Sequence, residues 1–166
     1  MKLVVRGISL FGFLLLCTNA AYACTCLQTS HRKEFRHADA VFVGRVIEIA
    51  EDKSYVPPKL KSTVPASFQK LLDSQRRYLV RLKVQQKFKG DGGKEITLST
   101  YQSDSPCLAM SFSLGETYLV YAHRDEDSSL ESGLCSRTRK FDESSKDYNE
   151  AKSFWFRFRS RLSLLS

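Results

Sequence analysis

The chain of 166 residues has no apolar run long enough to cross a bilayer. Its main apolar block, ISLFGFLLLC at residues 8–17, is about half of the roughly 20 residues that a spanning helix needs. Catalytic signatures are missing too. There is no H-E-x-x-H, no G-x-S-x-G and no phosphate-binding glycine loop, which removes the commonest zinc-protease, serine-hydrolase and nucleotide-binding readings. Histidine is scarce: His31, His37 and His123 are the only ones, and His31 and His37 lie about 240° apart around a helix, so they cannot ligate a metal from one face. Each reads as a surface or hydrogen-bonded residue. Neither zinc-finger spacing nor the aromatic strand signature of an RNA-binding sheet occurs, so nucleic acid is not an expected partner. Internal repeats, low-complexity tracts and the N-x-[ST] sequon are absent as well. Such a chain reads as a binding protein, not an enzyme, with no cofactor of its own.

The features that are present begin at the amino terminus. Lys2 and Arg6, the apolar block, and the small residues ending in Ala21-Tyr22-Ala23 stand in the order of a cleavable signal peptide, so residues 1–23 are expected to be removed and 24–166 to form one domain. Without that leader the chain has 24 basic and 18 acidic residues, a net charge of 24 − 18 = +6. This favours solubility and weak attraction to anionic matrix or envelope surfaces. Cys17 leaves with the leader, and Cys24, Cys26, Cys107 and Cys135 stay. An even number in an exported chain argues for two disulfides, with three pairings open. One C-x-C plus two isolated cysteines lacks the paired knuckles of a structural zinc site.

Along the chain, QTSHRKEFRHADA (28–40) reads as a short helix with Thr29 or Ser30 as its N-cap. AVFVGRVIEIA (40–50) reads as a strand in which Gly44 permits a bulge or bend. Residues 51–76 hold Pro57, Pro58 and Pro65 and form a long connection, with a helical turn at SFQKLLDS. RYLVRLKVQQKFKG (77–90) alternates as a half-buried strand, with Tyr78, Val80, Leu82 and Val84 on one face. GDGG is a turn, KEITLSTY a further strand, and Leu114-Gly115 a turn ahead of a strand over 117–123. SLESGLCSR predicts a last short strand carrying Cys135. Strands at this spacing point to a small barrel or sandwich. Asp142 or Ser144 then caps a helix over about 142–163, on which Tyr148, Ala151, Phe154, Trp155, Phe158, Leu162 and Leu165 fall within about 120° of arc. That face is expected to pack on the barrel; Arg157, Arg159 and Arg161 beside it suggest a membrane surface as the other use.

Taken in order, Cys24-Thr25-Cys26, ADAVFVGRV, FKG, SPC, GETYLVYA and CSRT resemble the N-terminal inhibitory domain of the tissue inhibitors of metalloproteinases, over most of residues 24–140. The resemblance implies a netrin-like fold: a five-stranded Greek-key barrel of the OB type with helices packed against it. It also implies the pairings Cys24–Cys107 and Cys26–Cys135. The free α-amine and the carbonyl of Cys24 would then chelate the catalytic zinc of a target protease and displace its water, the zinc being the target's own. Thr25 would enter the specificity pocket, Cys26 would belong to the same contact surface, and Ser105, Pro106, Cys107 and Leu108 would form the second half of the ridge, held beside the N-terminus by the Cys24–Cys107 bridge. The chain departs from that family in lacking the cysteines for a third bridge and a C-terminal disulfide-rich domain; a helix stands in its place.

The resulting expectation is a monomeric inhibitor of zinc metalloendopeptidases, secreted to an extracellular or periplasmic space. Two other uses stay open. One is a netrin-like module that binds without inhibiting. The other is an envelope protein lipid-anchored at an acylated Cys24, although AYAC lacks the branched apolar residue usual three positions before such a cysteine.

Overall fold

The computed structural model describes residues 26, 29–58, 66–90, 92–103, 111–125, 127–133 and 135–162. The described elements are, in chain order, helix α1 (His31–His37), strand β1 (Ala40–Glu51), helix α2 (Ala66–Asp73), strands β2 (Arg76–Lys89), β3 (Glu95–Gln102), β4 (Thr117–Arg124), β5 (Leu130–Glu131) and β6 (Arg139–Lys140), and helix α3 (Lys146–Leu162). β1 pairs antiparallel with β2 along its whole length and, over its first half, with β4 on its other side. β2 pairs with β3 antiparallel. β5 then closes the ring, parallel to β3 through Ser99 and Glu131 and antiparallel to β4. The order β1-β2-β3-β5-β4-β1 makes a closed five-stranded mixed barrel of the OB type, with β6 on the free edge of β4. The protein is mainly β, with α1 and α3 packed on the barrel, as its sequence leads one to expect.

Two apolar clusters explain the strand patterns. Phe42, Val46, Val80, Leu82, Ile96, Leu98, Tyr118 and Val120 fill the barrel interior. Val41, Val43, Leu119 and Tyr121 point the other way, into a second cluster with Phe35 of α1 and Tyr148 and Ala151 of α3. Because β1 and β4 are buried on both faces, AVFV and YLVYA run on as near-continuous apolar stretches, whereas β2, with one face in water, alternates cleanly. Leu82 and Val120 are fully buried; cutting such a side chain back to Ala costs about 2–5 kcal/mol. Gly44 lies where the β1–β2 register shifts, and a Cβ there would stand 3.0 Å from the Phe42 ring and 3.2 Å from Leu82 Cβ. The expected bulge is therefore present, and it is glycine because the barrel interior is full at that point.

Each residue of FKG has its own task. Phe88 is buried in the second cluster. Lys89 reaches from the end of β2 to the last turn of α1, where its Nζ donates to the carbonyls of Phe35 (3.1 Å), Arg36 (2.7 Å) and Ala38; these are carbonyls a helix end leaves unpaired. Gly90 has φ +90°, and a Cβ there would come within 2.5 Å of the Asp39 carbonyl oxygen.

Three expectations need correction. β5 stops at Glu131, and Cys135 sits in a turn after it, not on a strand. The cause is local: the fully buried Ser132 sends its hydroxyl to the Tyr121 carbonyl (3.2 Å), and Ser136 N–H closes on the Gly133 carbonyl (3.0 Å). β6 has no counterpart in the sequence reading, since a two-residue strand carries no periodic signal. The cap of α3 is Ser145, whose hydroxyl accepts the Tyr148 N–H at 3.3 Å. Asp142 is already used one turn earlier, accepting from the N–H (2.9 Å) and hydroxyl (2.7 Å) of Ser144. The helix does pack on the barrel, with Tyr148 and Ala151 buried and Phe154 and Trp155 against them; the side chains of Phe158, Leu162 and Leu165 lie outside the described residues, as do those of Arg159 and Arg161.

Candidate functional site

Cys24, Thr25, Ser105, Pro106, Cys107 and Leu108 lie outside the described residues, and with them the Cys24–Cys107 pairing. Cys26 is described. It stands in disulfide geometry with Cys135, with a Cα–Cα distance of 5.3 Å across a sequence separation of 109 residues. The bridge fastens the segment ahead of α1 to the turn between β5 and β6.

Side chains hold the entry into α1. Ser30 caps the helix, its hydroxyl accepting the Lys33 N–H, as the sequence predicts. Thr29 donates its hydroxyl to Glu34 Oε2 at 2.8 Å. The other oxygen of Glu34 lies 3.1 Å from His123 Nε2 on β4, so this buried carboxylate joins the first turn of α1 to the barrel. Arg137, two residues past Cys135, donates from Nη2 to the Thr29 carbonyl and from Nη1 to Asp147 Oδ1 at 3.0 Å. Asp147, on the first turn of α3, has a side chain only 4% exposed and also pairs with Arg139. His31 Nδ1 stands 2.5 Å from Asp147 Oδ1, and its Nε2 faces Arg137 Nη1 at 3.3 Å. A carboxylate this deeply buried is tolerated because several donors converge on it.

The four residues of CSRT all serve this region. Cys135 makes the bridge, Ser136 bonds the Ser132 hydroxyl at 3.0 Å, Arg137 holds Thr29 and Asp147, and Thr138 accepts the Tyr121 N–H at 2.8 Å through its hydroxyl. The Tyr121 phenol, beside this cluster, is pushed well up from its ordinary value by burial first and by the Asp147 charge second.

Two concavities open on the barrel surface, the first beside the bridge. A cleft of about 370 Å³ is lined by Glu34, His123, Asp125, Glu131 and Cys135, among others. Burial, then the Asp125 charge, hold the Glu131 carboxyl above its usual range, against a hydrogen bond from Tyr101. A second one of about 520 Å³ includes Asp52, Arg77, Ser99 and Arg124. Arg77 there pairs with Asp52 at 2.6 Å and lies over the Tyr55 ring at 5.2 Å, while Tyr55 packs on Tyr101. These contacts pin the start of the β1–β2 connection to the barrel. Among the described residues no group of three or more His, Cys, Asp or Glu could hold a metal ion, and no helix is long and apolar enough to cross a membrane.

Of the histidines, His31 and His123 are hydrogen-bonded and His37 is exposed, as their sequence context suggests. Sequence reasoning misses the Arg137–Asp147 and Glu34–His123 pairs, which join residues 10 and 89 positions apart. The available signal is an acidic residue in the first turn of α1 and of α3, where a carboxylate is favoured, but that does not name the partner. No protein-family model matches the chain, and no curated protein matches it either.

Proposed function

We propose that the protein is an exported, monomeric inhibitor of zinc metalloendopeptidases, netrin-like in fold, whose working end is Cys24 after a cut behind Ala23. The observation that carries this reading is the bridge from Cys26 to Cys135, which fastens the backbone two residues after Cys24 to a closed barrel. An α-amine has an ordinary pKa of about 7.7–8.0, so near neutral pH it gives up its proton to a metal at small cost. The amine nitrogen and the carbonyl oxygen of Cys24 would close a five-membered chelate on the target's zinc, displacing the water held in the open position. Thr25 would enter the specificity pocket behind it. An end held in its bound shape loses little freedom on docking.

Strand direction supports the second half of the ridge. β3 and β5 run parallel and adjacent, with Ser99 opposite Glu131. β3 ends at Gln102, and Ser105, Pro106, Cys107 and Leu108 follow it closely in the sequence, as Cys135 follows β5. A Cys24–Cys107 bridge is compatible with that course. The Cys26–Cys135 disulfide agrees with an oxidising, exported setting.

The test is intact mass of the exported protein, then assay. The reading expects a chain beginning at Cys24, unlipidated, that gains about four hydrogens on reduction and inhibits members of a panel of zinc endopeptidases. A verified Cys24 end with oxidised cysteines and no inhibition across the panel would leave the non-inhibitory module; an acylated Cys24 would leave the lipid-anchored protein.

A further inference from the structure

We propose that Arg137 is a positioning residue, which orients the chain end ahead of Cys26 by holding the Thr29 carbonyl against the Asp147 carboxylate. This rests on the reading of Cys24 as the zinc-binding end. A single covalent tether fixes a point and leaves the tethered segment free to swing about it. Here the segment is held twice. Cys26 is bonded to Cys135, and three residues on, the Thr29 carbonyl is bonded to Arg137, two residues past Cys135. Two ties between the same pair of segments fix direction as well as place.

Arginine suits this position because its planar fork presents several donors at fixed angles, so Nη1 and Nη2 serve two acceptors at once. Its anchor is firm: Asp147 is buried at the start of α3 and is held independently by Arg139. Arg137 itself is only 17% exposed, so its bonds compete little with water. Arg139 pairs with the same carboxylate but is half-exposed, and its Nε donates to the Arg137 carbonyl, not to the segment ahead of α1. It therefore supplies a control of identical chemistry.

Arg137→Lys keeps a positive charge near Asp147 and loses the fork. Hydrogen–deuterium exchange on the oxidised protein beginning at Cys24 should show the amides of residues 29–33 exchanging about tenfold faster in this variant, the loss of one charge-assisted hydrogen bond, while those of 76–102 are unchanged. Its melting temperature checks that the variant is folded at the assay temperature, while the unchanged exchange of 76–102 and the Arg139→Lys control separate local loosening from a general loss of stability. Against panel endopeptidases inhibited by the parent, it should be about tenfold weaker, again the worth of one such bond. Arg139→Lys should change neither readout. The proposal is overturned if Arg137→Lys leaves exchange of 29–33 as in the parent, if Arg139→Lys loosens the segment equally, or if the segment loosens with inhibition unaltered. If the parent inhibits no endopeptidase, the zinc reading falls, and exchange alone still decides whether Arg137 holds the segment.

Discussion

Glu131 ends β5 at the point where the barrel closes through a parallel pair. Its position costs it solvent, and its carboxyl is raised above the ordinary 4.5 by burial first and by Asp125 second. A raised acid is favoured in its protonated form on folding. The stability it contributes is therefore complete below 4.5 and is lost as pH rises through its folded value. Glu131→Gln, which removes the charge and keeps the shape, should raise the melting temperature at pH 7 by about 1–3 °C, and the difference should vanish near pH 4. Thermal melts of the two proteins across that range check it; a pH-independent offset would contradict the assignment to charge. Asp52 and Asp142 work in the opposite sense. Each is lowered, first by its serine hydrogen bond, so what it contributes is present above 3.8 and lost in acid below it.

At the scale of elements, much is legible in the residues. β1, β2, β3 and β4 announce themselves through β-branched content and alternation, and α1 through Ser30 as a cap ahead of Glu34 and Phe35. SLESGLCSR marks β5 but not where it stops, and β6 leaves no sign, because two-residue strands are defined by their neighbours and not by a period of their own. The apolar Leu134 beside Cys135 suggests a strand, whereas Gly133 and the buried Ser132 turn the chain there. FKG, weak as a sequence signal, is specific in structure: the lysine caps a helix and the glycine lets the two chains touch. Gly90→Ala combines a left-handed φ with a Cβ 2.5 Å from a backbone oxygen, so it should cost about 2 kcal/mol or more in urea unfolding. A cost below about 0.5 kcal/mol, the size of an ordinary surface substitution, would mean that the close approach at Asp39 is not real.

At the scale of the molecule, the barrel, the helices and the bridge act on one short stretch. The second apolar cluster glues α1 and α3 to β1 and β4, Asp147 and Glu34 add polar ties from each helix, and the bridge joins residue 26 to 135. In the chain-entropy account a bridge closing a loop of this length is worth at most about 4–5 kcal/mol. The candidate site is legible in the sequence only in part. The C-x-C pair marks where to look, and the Cys26–Cys135 geometry is as the resemblance implies. The ties that orient the segment are not legible, because they run between residues far apart in sequence whose types, Arg, Asp, Glu and His, are ordinary on any surface. The central claim is that the free amine at Cys24 is the working group. Its most direct measurement is a pair of inhibition titrations against one sensitive zinc endopeptidase, using the oxidised protein beginning at Cys24 and the same protein with one alanine ahead of it. The account predicts that the added residue abolishes inhibition, since it turns the amine into an amide that cannot ligate the metal in the same way. Equal inhibition by the two proteins would contradict it.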